Sequence, residues 1–475
     1  MSNFATPFNY PAVQGAEEVP QSLLPATLKE FNNVKNVVKY VQTTSGTVGQ
    51  SSTLLFNIAG GMSCGSIKQG SVYLKCTITV AIPSTTTADT LLWAGGQPYT
   101  ASAPTASATA TSTVNNQIAG ASSIIDRMVV NLNGVQASIL QNYNKYRDMA
   151  IAHATTQNFV ADLLQLEFAG MKKQFALGSA VNYVMDVAIP IFNPVFNSSI
   201  CLPLYLLNNL TVEITTSTIA NALKMVKTAD GTDPTSSDYP TSYTVSNAQL
   251  VWEEIQLSNE FKQAMRDKLL SSGGAYKMPI EDVYSLSVGV PTSSVTDYVV
   301  GLSLSSLKAV LWTEILSANT NSIGLGNSYF YNGLSDAKLY VDNQLVNNVL
   351  IDSDTVAFAE MNKAIGRLND YNISSVIANT TNIDVGTATK RNNYLSDVFL
   401  GGISTTSISD FGFSKTGRPC SQVQLHLEHY TTTASTYASK WQGGVASTAP
   451  TTLYIWFLYD STILIDGMGN VAVSR

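Results

Sequence analysis

The chain has 475 residues, of which 45 % are hydrophobic and only 12 % are charged, and its formal net charge is −7. At about 100–200 residues per domain, this length predicts two or three domains with ample core material. The acidic balance, together with the absence of any Lys/Arg cluster longer than a pair, argues against direct nucleic-acid binding. A surface so poor in charge suits faces that pack against copies of the same chain.

The cysteines and the first residues of the chain indicate the cellular compartment in which the protein is made. The four cysteines lie far apart without CxxC spacing, so we interpret them as buried thiols and expect no zinc site: Cys64, Cys76, Cys201 and Cys420. The first residues lack the basic and apolar regions of a signal peptide, and no apolar run approaches the roughly 20 residues of a membrane span. We therefore expect a protein made without a signal peptide and without a cofactor.

An amphipathic pattern near the N-terminus predicts a helix over 26–42. Its apolar residues share one helical face: Leu28, Phe31, Val34, Val38 and Val41. This helix could pack under the first β-domain, or it could reach a neighbouring subunit or an inner membrane surface.

Alternating apolar and polar residues predict β-strands along most of the chain. The clearest run is 72–82, where every second residue is apolar. Two later runs end in residue pairs that tolerate positive φ, Asn133-Gly134 and Asp342-Asn343. Each pair predicts a tight β-hairpin turn.

The stretch "LPLYLLNNLTVEI" at 202–214 combines a rigid corner with a half-buried strand. Pro203 fixes the backbone at the corner. The alternate positions that follow predict an inward face formed by Leu210, Val212 and Ile214.

One convincing helix is predicted near the middle of the chain, at 258–271. Ser258 is a suitable N-cap and Gly273 a suitable residue just past the end. Apolar residues recur at four-residue spacing between them: Phe261, Met265 and Leu269. Three Ser/Thr-rich segments, at 99–116, 227–244 and 430–452, predict long loops.

The two sides of this helix follow a similar plan. Aligning the long apolar strands at Leu250 and Leu453 gives an offset of 203 residues, and aligning the hairpin turns at Asn133 and Asp342 gives 209. Two landmarks with nearly equal offsets predict two β-domains of similar topology.

No catalytic set emerges from the reactive residues. His426 and His429 are three positions apart in a predicted strand, so they should lie on opposite faces and share no metal. The sequence Ser305–Lys308 and the Lys415–Gly417 triplet superficially match elements of penicillin-binding enzymes. The residues around Ser305 alternate as a strand does, however, which removes the helical SxxK geometry.

Four segments, in order, resemble those of the double jelly-roll major capsid proteins of icosahedral double-stranded DNA viruses, a lineage that includes large DNA viruses, virophages and polinton-like viruses. They are "ICLPLYLLNNLTVEI", "AQLVWEEIQLSNEFKQAMRDKL", "SLKAVLW" ending at Trp312, and "YIWFLYDSTILIDGMGNVAVSR", which contains Gly467. The third resembles the segment that opens the second barrel. Relatives from the large DNA viruses commonly carry a histidine where this chain has Leu210.

The resemblance implies an all-β fold of two consecutive eight-stranded jelly-roll barrels with a short linking helix and an N-terminal arm. The corresponding division is an arm at 1–45, a first jelly roll at 46–257, a linking helix and connector at 258–284, and a second jelly roll at 285–475.

The function implied is structural: a capsid subunit, without catalytic residues or cofactors, that forms pseudo-hexagonal homotrimers in the virion shell. Its partners would be itself, neighbouring capsomers, penton and minor capsid proteins, and an inner membrane where one exists, with no direct nucleic-acid contact. The alternative is a two-domain β-sandwich adhesin or carbohydrate-binding surface protein. A hydrolase acting through Ser305 is a more distant hypothesis.

Overall fold

The structure of the protein is a computed structural model. It describes residues 36–43, 46–86, 90–93, 120–154, 166–167, 173–174, 180–226, 240–292, 295–320, 329, 331–347, 349–366, 399–406, 417–430 and 449–475. No helix within these ranges is long and apolar enough to cross a membrane.

The described residues are mainly strands. The first half of the chain forms β1 (Asn36–Thr43), β2 (Thr53–Ala59), β3 (Ser66–Ile67), β4 (Tyr73–Ile82), β5 (Thr90–Trp93), β6 (Ile125–Leu132), β7 (Val135–Gln141), β8 (Lys173–Gln174), β9 (Val181–Pro190), β10 (Leu202–Pro203), β11 (Asn209–Thr216), β12 (Leu223–Val226) and β13 (Ser242–Gln256). The second half forms β14 (Ala275–Val290), β15 (Val295–Leu316), β16 (Leu334–Val341), β17 (Gln344–Leu345), β18 (Gly401–Ser404), β19 (Arg418–His429), β20 (Thr451–Asp466) and β21 (Val471–Ser474).

The helices among the described residues are few and short. The α-helices are α1 (Tyr143–Ala154), α2 (Ile219–Ala222), α3 (Asn259–Ser272) and α4 (Asp354–Ala364). Two 3-10 turns lie at Ala121–Ile124 and Leu204–Leu206.

The first half builds two main antiparallel sheets and a small one. One sheet has the order β10-β3-β13-β4-β9, with β1 also paired to β13. The second has the order β2-β11-β6-β7, and the small one has the order β12-β5-β8. Apolar side chains that alternate along these strands fill the space between the main sheets, for example on β4, where every second residue is buried.

The second half is one continuous eight-stranded sheet because a single strand changes partners. The first part of β15, 295–301, pairs with β19, whereas 309–316 pair with β20, and the register shifts between the two parts. This strand divides the sheet into one part ordered β14-β20-β15-β18 and another ordered β15-β19-β16-β17. Bulges of this kind let one strand serve two layers.

The strand orders of the two halves match. The order β1-β13-β4-β9 corresponds to β14-β20-β15-β18, and β2-β11-β6-β7 corresponds to β15-β19-β16-β17. The prediction of two β-domains of similar topology is therefore confirmed.

The N-terminal helix prediction is wrong for the residues that the structure describes. Residues Asn36–Thr43 form β1, and all eight pair with β13 in antiparallel register, from Asn36 opposite Gln256 to Thr43 opposite Gln249. The apolar spacing fits a helix, but the ladder hydrogen bonds to the long strand β13 decide the outcome, and a local pattern cannot reveal them. Residues 26–35 lie outside the described ranges.

The second half also begins earlier than the sequence suggests. β14 starts at Ala275 and pairs with β20 along its whole length, so the boundary at 285 falls inside a strand. The segment ending at Trp312 lies within β15, the second strand of this sheet in chain order, and does not open it. Only two residues separate the end of α3 at Ser272 from the start of β14 at Ala275. Most of the connector predicted up to 284 therefore belongs to this strand.

The locally encoded features agree with the structure. The Ser258 hydroxyl accepts a hydrogen bond from the Phe261 amide at 3.2 Å, and Gly273 ends α3 with a φ of 59°. Both predicted turns close hairpins with positive φ at each central residue: Asn133 (49°), Gly134 (81°), Asp342 (49°) and Asn343 (62°).

The predicted inward face of β11 is buried. Leu210, Val212 and Ile214 lie in the core, and Leu210 sits between Ile58 of β2 and Leu132 of β6. A histidine at this position would need a hydrogen-bond partner that the apolar neighbours do not offer. Pro203 ends the short β10 and leads into a 3-10 turn, which forms the corner before β11.

The cysteine prediction is only half right. Cys76 and Cys420 are buried, but Cys64 and Cys201 are partly exposed, and all four thiols are free. The two partly exposed cysteines lie in connections between strands, where side chains reach the surface.

Candidate functional site

The two halves are joined by a buried seam between β7 of the first half and β14 of the second. At its centre the Asp282 carboxylate accepts hydrogen bonds from the Ser138 hydroxyl at 2.8 Å and from the Tyr459 hydroxyl at 2.7 Å. Asp282 and Tyr459 face each other in the β14–β20 register, and Asp282 is only 1 % exposed. One carboxylate thus connects both halves of the chain.

A second seam contact satisfies the backbone of an edge strand. β7 is the last strand of its sheet, so part of its backbone has no ladder partner there. The Ser285 hydroxyl donates to the Gln141 carbonyl at 2.8 Å and accepts from the Gln141 amide at 3.2 Å. The side chain of one half therefore completes the hydrogen bonding of the other.

The electrostatics of the seam follow from its burial. Burial raises the pKa of Asp282, and the hydrogen bonds from Tyr459 and Ser138 oppose that rise. Burial, and then the neighbouring Asp282 carboxylate, also raise the pKa of Tyr459. The tyrosine therefore keeps its proton and remains a hydrogen-bond donor to Asp282.

Replacing Asp282 with alanine should lower the free energy of unfolding by about 2–4 kcal/mol, because two buried hydroxyls lose their acceptor. Urea unfolding of the full chain measures this. The raised pKa means that the folded state holds a proton which the unfolded chain releases above about pH 4, so this contribution is lost as the pH rises through the folded pKa. The stability difference between wild type and variant should therefore shrink as the pH rises above about 4 and through the raised folded pKa of Asp282.

Asp297→Ala is the matched control, since Asp297 lies in the second half with an exposed side chain and pairs with His426. It should cost less than about 1 kcal/mol. Equal losses of unfolding free energy in the two variants would contradict the assignment of the seam. A stability difference between wild type and Asp282→Ala that widens as the pH rises would also contradict it.

Helix α1 extends the seam at one end. The Tyr146 ring packs on Trp456 with centroids 5.9 Å apart, and the Lys145 ammonium lies 5.1 Å from the centroid of the Tyr454 ring. The Tyr329 hydroxyl donates to the Asp148 carboxylate at 3.2 Å. Lys145 and Asp148 are both buried, and this burial lowers the pKa of Lys145 to about 8 and raises the pKa of Asp148 to about 8.

Helix α3 fixes the other end. The Lys262 ammonium donates to the carbonyls of Met62 at 2.5 Å and Cys64 at 3.2 Å, and the Arg266 guanidinium donates to the Gly467 carbonyl at 3.0 Å. A Cβ at Gly467 would lie 2.7 Å from Leu270 Cγ, so only glycine allows this approach. The linking helix is therefore bound to both halves.

Asn133 brings the first hairpin turn to the same end. Its side-chain oxygen accepts from the amides of Asn208 and Asn209, each at 2.9 Å, and its side-chain nitrogen donates to the Gly469 carbonyl at 2.5 Å. Gly134 completes this turn.

The structure brings together only some of the residues that the sequence singles out. Asn133, Gly134 and Gly467 meet near α3. Pro203 lies in β10 beside β3, whereas Leu210, Val212 and Ile214 fill the first core and Trp312 lies in the second.

The seam residues are not among those that the sequence singles out. A signal was present at Asp282, which falls in phase with the buried Met278 and Ile280 along β14. A carboxylate on the apolar face of a strand indicates a buried partner.

The residues considered for catalysis have structural partners. His426 contacts the carboxylates of Asp297 at 2.7 Å and Glu428 at 3.1 Å on the outer face of β19, whereas His429 is buried against Glu314 at 2.9 Å. The prediction that the two histidines lie on opposite faces is confirmed. No group of three or more His, Cys, Asp or Glu residues in the described part of the chain could hold a metal ion.

The stretch Ser305–Lys308 is part of β15, as its alternation predicts. The Ser306 hydroxyl donates to Asp460 at 2.7 Å, and the Lys308 ammonium lies 2.7 Å from Glu281 and 3.2 Å from Asp460. Because the lysine is paired with two carboxylates, it is not placed to activate a serine. Lys415 and Thr416 lie outside the described residues.

The described residues that flank two of the predicted long loops lie at the end of the first half opposite α3. The C-terminal end of β13 lies next to α3. The first residue of β13, Ser242, and the described residues before it therefore lie at the opposite end of this strand. There the Tyr243 hydroxyl donates to the Ser217 carbonyl, and the Ser217 amide donates to the Ile124 carbonyl. The chain on either side of 94–119 and 227–239, which themselves lie outside the described ranges, therefore meets at this end.

Comparison with known proteins identifies the fold. No family model and no curated protein matches the chain. Among solved structures, a chain of the Sputnik virophage is 11 % identical with a TM-score of 0.56, and the alignment covers 93 % of this chain and 88 % of that chain. The PBCV-1 virus capsid gives 13 % identity and a TM-score of 0.52, covering 93 % and 97 %. The mavirus major capsid protein gives 12 % and 0.50, covering 93 % and 90 %.

The alignments with these structural neighbours extend over nearly the whole chain and include both halves. Together with the repeated strand order, they show that the chain has the double jelly-roll fold of the major capsid proteins of giant viruses and virophages.

Proposed function

We propose that the chain is the major capsid protein of an icosahedral double-stranded DNA virus, and that it forms homotrimers of pseudo-hexagonal outline in the virion shell. The observation that carries the proposal is the matching strand order of two barrels held together by a buried seam. Three rigid two-barrel subunits would present six similar barrels, a shape that tiles a shell with near-hexagonal units. The low charged fraction suits the extensive neutral contacts that such tiling needs.

We place the first barrel at 36–256, the linking helix at 259–272 and the second barrel at 275–474. The seam supports this division because it holds the barrels in one orientation, as a subunit that repeats in a lattice requires. The capsid role of the structural neighbours supports a location in the virion and a non-enzymatic role. Neighbouring capsomers, penton and minor capsid proteins, and an inner membrane surface are the partners that this role implies.

The long loops would lie at the outer end of the capsomer, away from α3. Length is tolerated there because loop tips face solvent and do not enter the contacts between barrels. The described ends of the chain next to 94–119 and 227–239 support this placement, since they meet at the end opposite α3.

The carbohydrate-binding alternative receives no support from the described surface. Its exposed large aromatic side chains are Tyr40, Phe192 and Tyr284, which lie on or near three different strands, β1, β9 and β14. A sugar-binding groove would need aromatic faces side by side.

The full chain should sediment as a trimer, and negative-stain images should show particles of hexagonal outline. Sedimentation velocity over a range of concentrations measures the mass, and the images measure the outline. A chain that stays monomeric at high concentration would contradict the capsid proposal. Binding to a glycan array by such a monomer would favour the adhesin instead.

A further inference from the structure

We propose that the side-chain amine of Lys145 and the side-chain amide of Asn221 join in an isopeptide bond, a covalent cross-link inside the first half of the chain. The bond ties α1 to α2 across 76 positions of sequence. It is a chemical modification within one subunit and does not depend on the proposed trimer.

The two reacting side chains are already in contact. The Lys145 ammonium donates a hydrogen bond to Asn221 Oδ1 at 3.4 Å. Oδ1 is bonded to Cγ, the carbon that the amine attacks, so a small rotation of the side chains brings Nζ to this carbon. Lys145 is only 2 % exposed, and its Nζ lies 5.1 Å from the centroid of the Tyr454 ring. Groups held together in this way react as if they were highly concentrated, because their encounter costs no further entropy.

Hydrogen bonds also fix the backbone that carries Asn221. Ser217 lies just before α2, and its hydroxyl donates to the Ser123 carbonyl at 2.7 Å. The side chain of Asn144, the residue before Lys145, donates to the Ser217 hydroxyl at 3.3 Å. The start of α1 and the start of α2 are therefore bound to each other, which keeps the amide beside the lysine.

A carboxyl group beside the amine is suited to carry a proton. Asp148 follows Lys145 by three positions on α1, so the two side chains share one helical face. Burial lowers the pKa of Lys145 to about 8, and the carboxylates of Asp148 and Asp126 oppose this change. Burial also raises the pKa of Asp148 to about 8. The reaction uses a neutral amine and a protonated carboxyl, and both forms are therefore populated near neutral pH.

The reaction needs no oxidant or other co-reactant. A proton passes from the Lys145 ammonium to the Asp148 carboxylate, and the neutral amine adds to Cγ of Asn221. Asp148 then gives its proton to Nδ2 of the amide and takes one from Nζ. The bond between Cγ and Nδ2 breaks and ammonia leaves, so a new amide joins Nζ to Cγ. Asn221 is partly exposed, which gives the ammonia a route to solvent.

The cross-link fixes the helix that contacts the second half of the chain. Tyr146, the residue after Lys145, packs on Trp456. Locking α1 to the first half therefore also restrains this contact. A covalent link between distant positions limits the unfolded chain as well, and so stabilises the folded subunit as a disulfide does.

Mass spectrometry of the denatured full chain tests the bond. The wild type should weigh one ammonia less than its sequence, and trypsin should fail to cut after Lys145, which leaves a branched peptide joined to Asn221. Lys262 is the matched control, because it is also 2 % exposed but donates to the backbone carbonyls of Met62 and Cys64. Trypsin should cut after Lys262. A wild type at its full sequence mass, or an ammonia loss that maps to another peptide, would overturn the inference.

Three variants separate the reaction from a simple hydrogen bond. Lys145→Arg keeps the charge but lacks the attacking amine, and should keep its full sequence mass. Asp148→Asn keeps an acceptor for the Tyr329 hydroxyl but cannot carry the proton, and should also keep its full sequence mass. Asn221→Asp should form the same bond with loss of water, and so reach the final mass of the cross-linked wild type.

Circular dichroism should show that the three variants are folded. An ammonia loss in Lys145→Arg or a cross-link in Asp148→Asn would contradict the proposed chemistry. Any other final mass of Asn221→Asp would contradict the assignment of Asn221 as the acceptor.

Discussion

Replacing Glu167 with alanine should lower the free energy of unfolding by about 3–5 kcal/mol, because it leaves a buried guanidinium without its counter-charge. The Arg147 guanidinium lies 2.6 Å from the Glu167 carboxylate, and the two side chains are 5 % and 0 % exposed. The second carboxylate oxygen accepts from the Ser122 amide at 2.8 Å, so the substitution also orphans a buried donor. Urea unfolding at fixed protein concentration gives the measurement.

A surface ion pair of nearly the same length provides the control. Lys68 and Glu253 are 2.7 Å apart, but their side chains are 49 % and 31 % exposed. Lys68→Ala should therefore cost no more than about 1 kcal/mol.

The pair can also be removed as a whole. The double variant Arg147→Met/Glu167→Leu should be more stable than Glu167→Ala, since no charge is left buried alone. If Glu167→Ala lowers the free energy of unfolding no more than Lys68→Ala does, solvent reaches the Arg147–Glu167 pair.

Replacing Trp312 with alanine should cost about 3–5 kcal/mol, the typical loss for removing a fully buried large aromatic side chain. Trp312 lies in β15 with no exposed surface, directly opposite Gly401 of β18 in the register. A Cβ at Gly401 would run into the indole ring, so the glycine makes room for the tryptophan. The two positions form one packing unit of the second barrel.

A double-mutant cycle tests this coupling. Gly401→Ala alone should cost about 1–3 kcal/mol through overpacking, and most of that cost should vanish when Trp312 is already alanine. Gly289→Ala is the control, since a Cβ there has no atom within 4 Å, and it should change the stability by less than about 0.5 kcal/mol. Additive effects at 312 and 401 would contradict the packing.

Features encoded by neighbouring residues are readable from the sequence. The caps of α3 at Ser258 and Gly273 and the turns at Asn133 and Asp342 depend on the φ preferences and hydrogen bonds of a few consecutive residues. Alternation along β4 and β11 predicts their buried faces because a strand has a fixed period of two.

The seam could not be read in this way. Asp282 meets Ser138 across 144 positions of sequence, and Tyr459 across 177. The sequence marks Asp282 only as a carboxylate in phase with apolar residues. Which donors would satisfy it depends on how the two barrels pack together.

The sequence by itself determined that this protein is built of strands, that one helix divides it, and that its plan repeats, since alternation, capping and turn chemistry are local. Only the tertiary structure decided that residues 36–43 are a strand and which faces are covered. β1 exists as a strand because β13, more than 200 positions away, offers it a complete ladder of hydrogen bonds.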